Sequence, residues 1–504
     1  MQMHEVRVFG PQEPPNKARE LAHCIARVAA DRAPIDAHAR EMVINRFIDN
    51  AAVAIGGINL PPVANARSQA LCHPRPGGAT LFGMPSENTV DAEWAAYANC
   101  AAVRELDMHD TFLAADYAHP GDTIPAVLAV AQQCGNSHGL SGDDLIRGVL
   151  VAYEIQIALV KGICLHEYRI DHVAHLGPAQ AAGIGALLGL DAETIYHAVQ
   201  QAAHVSFATR QGRRGAMSSW KTFAPAHVAK LAIECVDRAM RGEKGPSPIY
   251  EGEDGILARL LGGATYQVPL PEPGEPCCGI LESYTKEHAA EYQCQALIDL
   301  AFSVRQKIPH LRDIEEIVIH TSRTTHLRIG SGAEDPEKLN PRASRETLEQ
   351  SLMYVFAVAL QDGIWHHITS YSPERVSRPD TVELWHKIRT VEDDEWTRRF
   401  HSSDPGEKAF GGRVEIRLKN DERIWDEKAV ANAHSLGEHP YEREDYVRKF
   451  NHLTNGLVTD AEQDRFLGHV CTIPDFEAAD LGRLNLQVPP ERLRSHARDN
   501  RGIF

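Results

Sequence analysis

The chain's first 265 residues or so repeat apolar positions with the period of a helix, and the remainder switches in places to the period of a strand. Between 36 and 55, Met42, Val43, Phe47, Ile48 and Ala51 recur at helical spacing, and the run stops at Gly56-Gly57. Residues 123–134 are apolar between Asp122 and Gly135, and 144–161 repeat the pattern with Leu145, Val149, Ala152, Ile155 and Leu159. Residues 178–189 are small and apolar on nearly every side, which predicts a central, tightly packed helix. Gly183, Gly185 and Gly189 come one residue off the dinucleotide fingerprint, but no β-rich run precedes them, so they read as helix packing.

The pattern changes after the Pro-rich stretch Pro269 to Pro276. Ile314 to Thr321 is a β-branched run. Arg413 to Leu418 alternates, turns at 419–422 and returns through Arg423-Ile424-Trp425, which predicts a hairpin. Between these strands, 344–361 predicts one helix starting at Ser344, and the chain turns helical again from Tyr441 to about Leu453. The expected fold is mainly α. A large all-α helical domain (1–272) is followed by a smaller α+β lid domain (273–436) and a C-terminal helical segment (437–504) that rejoins the first.

Composition narrows the function. The 504 residues are 43% hydrophobic and 24% charged, with no apolar run long enough to span a membrane. The start, Met1 to Arg7, carries no secretory pattern, so a cytoplasmic enzyme is expected. None of the ten cysteines forms a C-x-x-C pair, which disfavours zinc ribbons and common iron–sulfur spacings. A net charge of −17 argues against nucleic acid or an anionic membrane as partner. It also means that an anionic substrate needs a local patch of Lys, Arg and His.

Chemistry concentrates just ahead of the apolar run that begins at Ile124. Asp107, His109, Asp110, Thr111, His119 and Asp122 bring acids, bases and a hydroxyl together, as proton-transfer catalysis requires. The same residue types also make turns and helix caps, and Asp122 or Thr123 suits a cap. The run Leu106-Asp107-Met108-His109-Asp110-Thr111-Phe112, with His119-Pro120-Gly121 after it, resembles the signature of the MmgE/PrpD family of 2-methylcitrate dehydratases and cis-aconitate decarboxylases. Asn340-Pro341, Arg378-Pro379-Asp380-Thr381 and Leu384-Trp385-His386-Lys387 are similar to later phrases of that family.

The resemblance implies a helical domain, an α+β lid, a cleft between them and a homodimer. It also implies a small tricarboxylic acid as ligand and no metal or organic cofactor. Asp107, Thr111 and His119 fall on matching positions: Asp107 would orient a neighbour, Thr111 would bind substrate oxygen, and His119 would carry a proton. His172, in Arg169-Ile170-Asp171-His172, matches a family histidine, and Lys221 and Lys286 match family lysines. A histidine sometimes found in the family's segment around that second lysine is replaced here by Gln293 or Cys294, with His288 as a stand-in. His172 and His175 are spaced to share a metal, but the nearby His166-Glu167 has no matching second histidine. Arg210, Arg213 and Arg214 in a Gly-bearing loop suit either a polycarboxylate clamp or a solvated basic loop.

The expected activity is dehydration of 2-methylcitrate to 2-methyl-cis-aconitate in propionate breakdown. The alternatives are decarboxylation of cis-aconitate to itaconate, and a silent homologue that only binds tricarboxylates.

Overall fold

The protein is seen in a computed structural model that describes every residue except 11, 14, 15, 403, 495–502 and 504. It is mainly α, with a smaller part that carries the one four-stranded sheet among the described residues.

Two separate apolar cores organise the chain. The larger runs from Val6 to Ala289 and is rejoined by Tyr446 to Val488. The smaller runs from Ala290 to Ile424. The Pro-rich stretch begins inside a strand, Tyr266–Leu270, which pairs antiparallel with Gln2–Val6. The change of core comes later, between Ala289 and Ala290.

Helix ends in the large core follow local chemistry. Asp36 caps Ala37–Gly56 by accepting from the His38 and Ala39 amides, and Ser141 with Asp144 forms a capping box on Gly142–Gly162. The small-residue helix is Leu176–Leu187, and it lies against Gly142–Gly162 at glycine contacts. A Cβ on Gly183 would stand 2.6 Å from the Gly148 carbonyl oxygen and 2.7 Å from the Ala152 Cβ. Close backbone approach accounts for Gly183.

In the smaller core, the sheet order is Ile388–Glu392, Ile314–Thr321, Gly412–Leu418, Arg423–Lys428. The first pair is parallel and the other two are antiparallel. Apolar residues of this sheet pack on the helices Tyr292–Arg305 and Leu352–Asp362.

The expected single helix over 344–361 is instead two, Arg345–Leu348 and Leu352–Asp362. Ser351 caps the second one through the Tyr354 amide at 3.3 Å, while the Leu352 N–H turns away to the Ile329 carbonyl at 2.9 Å. The break falls directly after Glu349, a residue of the site described below.

The helix Arg443–Thr454 packs on Ala37–Gly56 and clasps the junction of the cores. Lys449 Nζ lies 2.6 Å from Asp49 and donates to the Met108 and Lys286 carbonyls, each at 2.7 Å.

Candidate active site

A cavity of roughly 1170 Å³ is lined by residues of both cores. Nine of its lining side chains are Lys or Arg and four are Asp or Glu, so an acidic protein carries one strongly positive cleft. A smaller cavity of about 310 Å³, near the amino-terminal strand, is lined by mixed charges.

The floor of the large cavity is built where helix Ala92–Glu105 ends. Asp107 adopts φ 48°, a left-handed conformation that Asp and Asn tolerate better than most residues. This turn drives its carboxylate inward. Lys221 Nζ lies 2.8 Å from one oxygen, Lys286 Nζ lies 2.7 Å from the other, and Arg104 Nη1 stands at 3.5 Å. Burial alone would raise the Asp107 pKa, but Lys221, Lys286 and Arg104 overcome it and hold the carboxyl well below the ordinary range. Lys221 also reaches Glu349 at 2.6 Å, and Glu349 in turn holds Arg345 at 2.8 Å.

Two imidazoles rise beside this cluster, with ring centres 5.5 Å apart. His119 Nδ1 lies 3.3 Å from the Asp110 carbonyl oxygen, which can only accept. His172 Nδ1 lies 3.0 Å from Asp171, and Asp171 is held by Arg213 Nε, also at 3.0 Å. Both neighbours can only accept, so each environment favours the proton on Nδ1 and leaves Nε2 as the acceptor.

Burial, aided by Arg104 and Lys286, drives His119 well below its ordinary pKa. Burial takes His172 to about 4, even though Asp171 pulls the other way. Asp110 is a structural anchor: its Oδ1 accepts the Gly121 amide at 2.8 Å, and Arg46 Nε lies 3.2 Å from its other oxygen.

The remaining candidates divide. Arg210, Arg213 and Arg214 all line the cavity; Arg210 donates to the Tyr117 hydroxyl at 2.7 Å. Thr111 and Lys286 are not among the lining residues. The Thr111 hydroxyl donates to the Ala118 carbonyl at 2.9 Å, and Lys286, fully buried, stands behind Asp107. His175 is engaged by the Ile163 carbonyl at 3.1 Å, and His288 by Asp299 at 2.8 Å.

Several lining residues escaped the sequence reading: Arg104, Tyr117, Glu291, Arg328 and Lys338. Glu349, outside the lining, was also missed. Arg328 stacks 5.4 Å above the Tyr117 ring from the smaller core's side. Lys338 is lowered to about 8 by burial. Among the described residues, Glu287, His288 and Asp299 bring three possible metal ligands within 4.8 Å of one another, but none of them lines the cavity.

The buried histidines have a measurable consequence. Burial lowers both His172 and His175 to about 4, from about 6.5 in the unfolded chain. They are neutral when folded and take up protons on unfolding. Stability is therefore intact above about pH 6.5 and is lost as the pH falls toward 4, by on the order of 1 kcal/mol per histidine at about pH 5.5. Urea unfolding is expected to show a lower midpoint at about pH 5.5 than at about pH 7.5, and an unchanged midpoint would contradict this.

Comparison with known proteins places the chain in a family. Residues 19–269 match the MmgE/PrpD N-terminal domain and residues 288–471 match the MmgE/PrpD C-terminal domain. The chain is 26% identical to the mitochondrial 2-methylcitrate dehydratase of Yarrowia lipolytica, over 76% of this chain and 74% of that protein. It is 27% identical to the 2-methylcitrate dehydratase of Cupriavidus necator, over 70% and 73% respectively. It is 25% identical to a probable 2-methylcitrate dehydratase of Saccharomyces cerevisiae, over 82% and 80%. With both family domains matched in order over most of its length, the chain belongs to the MmgE/PrpD family.

Proposed function

We propose that this protein is a hydro-lyase that dehydrates 2-methylcitrate to 2-methyl-cis-aconitate, without a metal or organic cofactor. One observation carries the reading: two neutral imidazoles with free Nε2 atoms stand beside a cation-held carboxylate in a cleft rich in Lys and Arg. Dehydration of a β-hydroxy acid needs a base for a weakly acidic C–H, cations for the charge that grows on the adjacent carboxylate, and an acid for the departing hydroxyl.

His172 is the better base. The charge it gains is stabilised by Asp171, whereas a cationic His119 would face Arg104 and Lys286. His119 then accepts a hydrogen bond from substrate. Arg104, Lys221, Arg328 and the 210–214 loop hold carboxylates, while Asp107, backed by Lys286, fixes the Lys221 ammonium. We further propose a cytoplasmic homodimer, and light scattering tests the dimer.

The test is turnover of synthetic 2-methylcitrate with and without a chelator. The expected result is an unsaturated tricarboxylic acid, no carbon dioxide and no effect of the chelator. Release of carbon dioxide from cis-aconitate would favour decarboxylation. Binding without turnover of either acid would favour a silent homologue.

A further inference from the structure

The site as described has bases but no assigned acid. His119 Nδ1 faces the Asp110 carbonyl and His172 Nδ1 faces the Asp171 carboxylate; both neighbours only accept, which favours the proton on Nδ1 and leaves each Nε2 to accept. A departing hydroxyl must gain a proton. Other proton carriers on the cavity wall include His166, Tyr168, Lys221, Tyr117, Lys338 and Glu291, and Lys221 is already engaged by Asp107 and Glu349. Tyr117 lies against the base itself, its ring 4.4 Å from that of His172. Lys338 Nζ is engaged by the Gln350 carbonyl at 2.7 Å.

Glu291 is differently placed. It begins the smaller core's first helix, Tyr292–Arg305, and lines the cavity together with His119 and His172 of the larger core. Its Oε2 accepts the Gln293 backbone N–H at 2.7 Å. The side-chain NH2 of Gln293 donates to Oε2 at 2.8 Å and to Oε1 at 3.1 Å. The carbonyl end of that amide accepts from a protonated carboxyl, and the amino end donates to an ionised one, so a half-turn of the amide serves both states. Burial raises the Glu291 pKa and Asp107 adds to the rise, while Lys286, the Gln293 backbone N–H and Arg328 oppose it. Cys294 and Lys338 also feel the Glu291 charge. A bound tricarboxylate would bring further negative charge and favour the protonated acid.

We infer that Glu291 is the general acid of the reaction, with the Gln293 amide as its reversible partner. This rests on the dehydratase reading above. In the step, His172 Nε2 takes the C–H proton and that electron pair becomes the new C=C bond. The C–O bond breaks, and the hydroxyl leaves as water with the Glu291 proton. Exchange with solvent then returns a proton to Glu291 and removes one from His172.

The experiment compares the wild type with Glu291→Gln on 2-methylcitrate and on an analogue bearing fluorine in place of the departing hydroxyl. Fluoride leaves without a proton. For Glu291→Gln on 2-methylcitrate, kcat is expected to fall by about 10²–10⁴-fold, the usual range for a lost acid or base. KM should change little and the alkaline limb of the pH profile should vanish. On the fluoro analogue the variant is expected to match the wild type, and Glu291→Asp is expected to restore part of the activity. An equal loss on both substrates would overturn the assignment. So would an alkaline limb that persists in Glu291→Gln but vanishes in Tyr117→Phe or Lys338→Met. If wild type dehydrates neither compound, the dehydratase reading itself falls, and the acid assignment with it; an active wild type with an unaffected variant removes the assignment alone.

Discussion

Replacing Asp107 by Asn is expected to abolish turnover and to cost the fold about 3–5 kcal/mol, the range found when one partner of a buried ion pair is removed. Asn keeps the shape and tolerates the φ of 48°, so the loss reports charge. Lys221 and Lys286 then point at a neutral amide in a buried place. Asp107→Ala is expected to be less stable than Asp107→Asn by about 1 kcal/mol more, because a left-handed backbone disfavours Ala. Adding Lys286→Met to Asp107→Asn is expected to restore part of the stability, since it removes one unpaired buried cation, and a double-mutant cycle in urea reads this directly. Strictly additive losses would mean that Asp107 and Lys286 do not form one electrostatic unit.

His172→Ala is expected to lower kcat by about 10³–10⁴-fold, near the upper end for a general base. Asp171→Asn should lower it by about 10²-fold, because His172 then loses the group that fixes its tautomer and stabilises its charge. His119→Ala should act mainly on KM, as its ring meets the Asp110 carbonyl and no carboxylate. Exchange of the substrate C–H with deuterated water separates these roles: it should cease in His172→Ala and continue in His119→Ala. The reverse pattern would transfer the base role to His119.

The strands and most helices were legible because their signals are local. Ile314–Thr321 is a strand over the residues of its β-branched run, and the hairpin pairs Arg413 to Arg417 with Arg423 to Glu427. The break after Glu349 was not legible, because it depends on a backbone bond from Leu352 to the distant Ile329. The acids and bases of the signature could be read as a cluster. What each faces could not, since Thr111 turns to Ala118 and Lys286 closes behind Asp107 only through tertiary packing. Arg104 looks like the usual basic residue in a helix's last turn, and Glu291 looks like an ordinary N-cap. Glu349 and Arg328 read in sequence as surface charges, and only the approach of the two cores brings them to Lys221 and Tyr117.

The most direct test is a crystal structure with 2-methyl-cis-aconitate bound. The expected density lies in the large cleft, with carboxylates on Lys221, Arg104 and cations of the smaller core, and with the carbon that carried the proton facing His172 Nε2. Density elsewhere, or a ligand whose carboxylates meet none of these cations, would contradict the claim that one positive cleft between the two cores performs the chemistry.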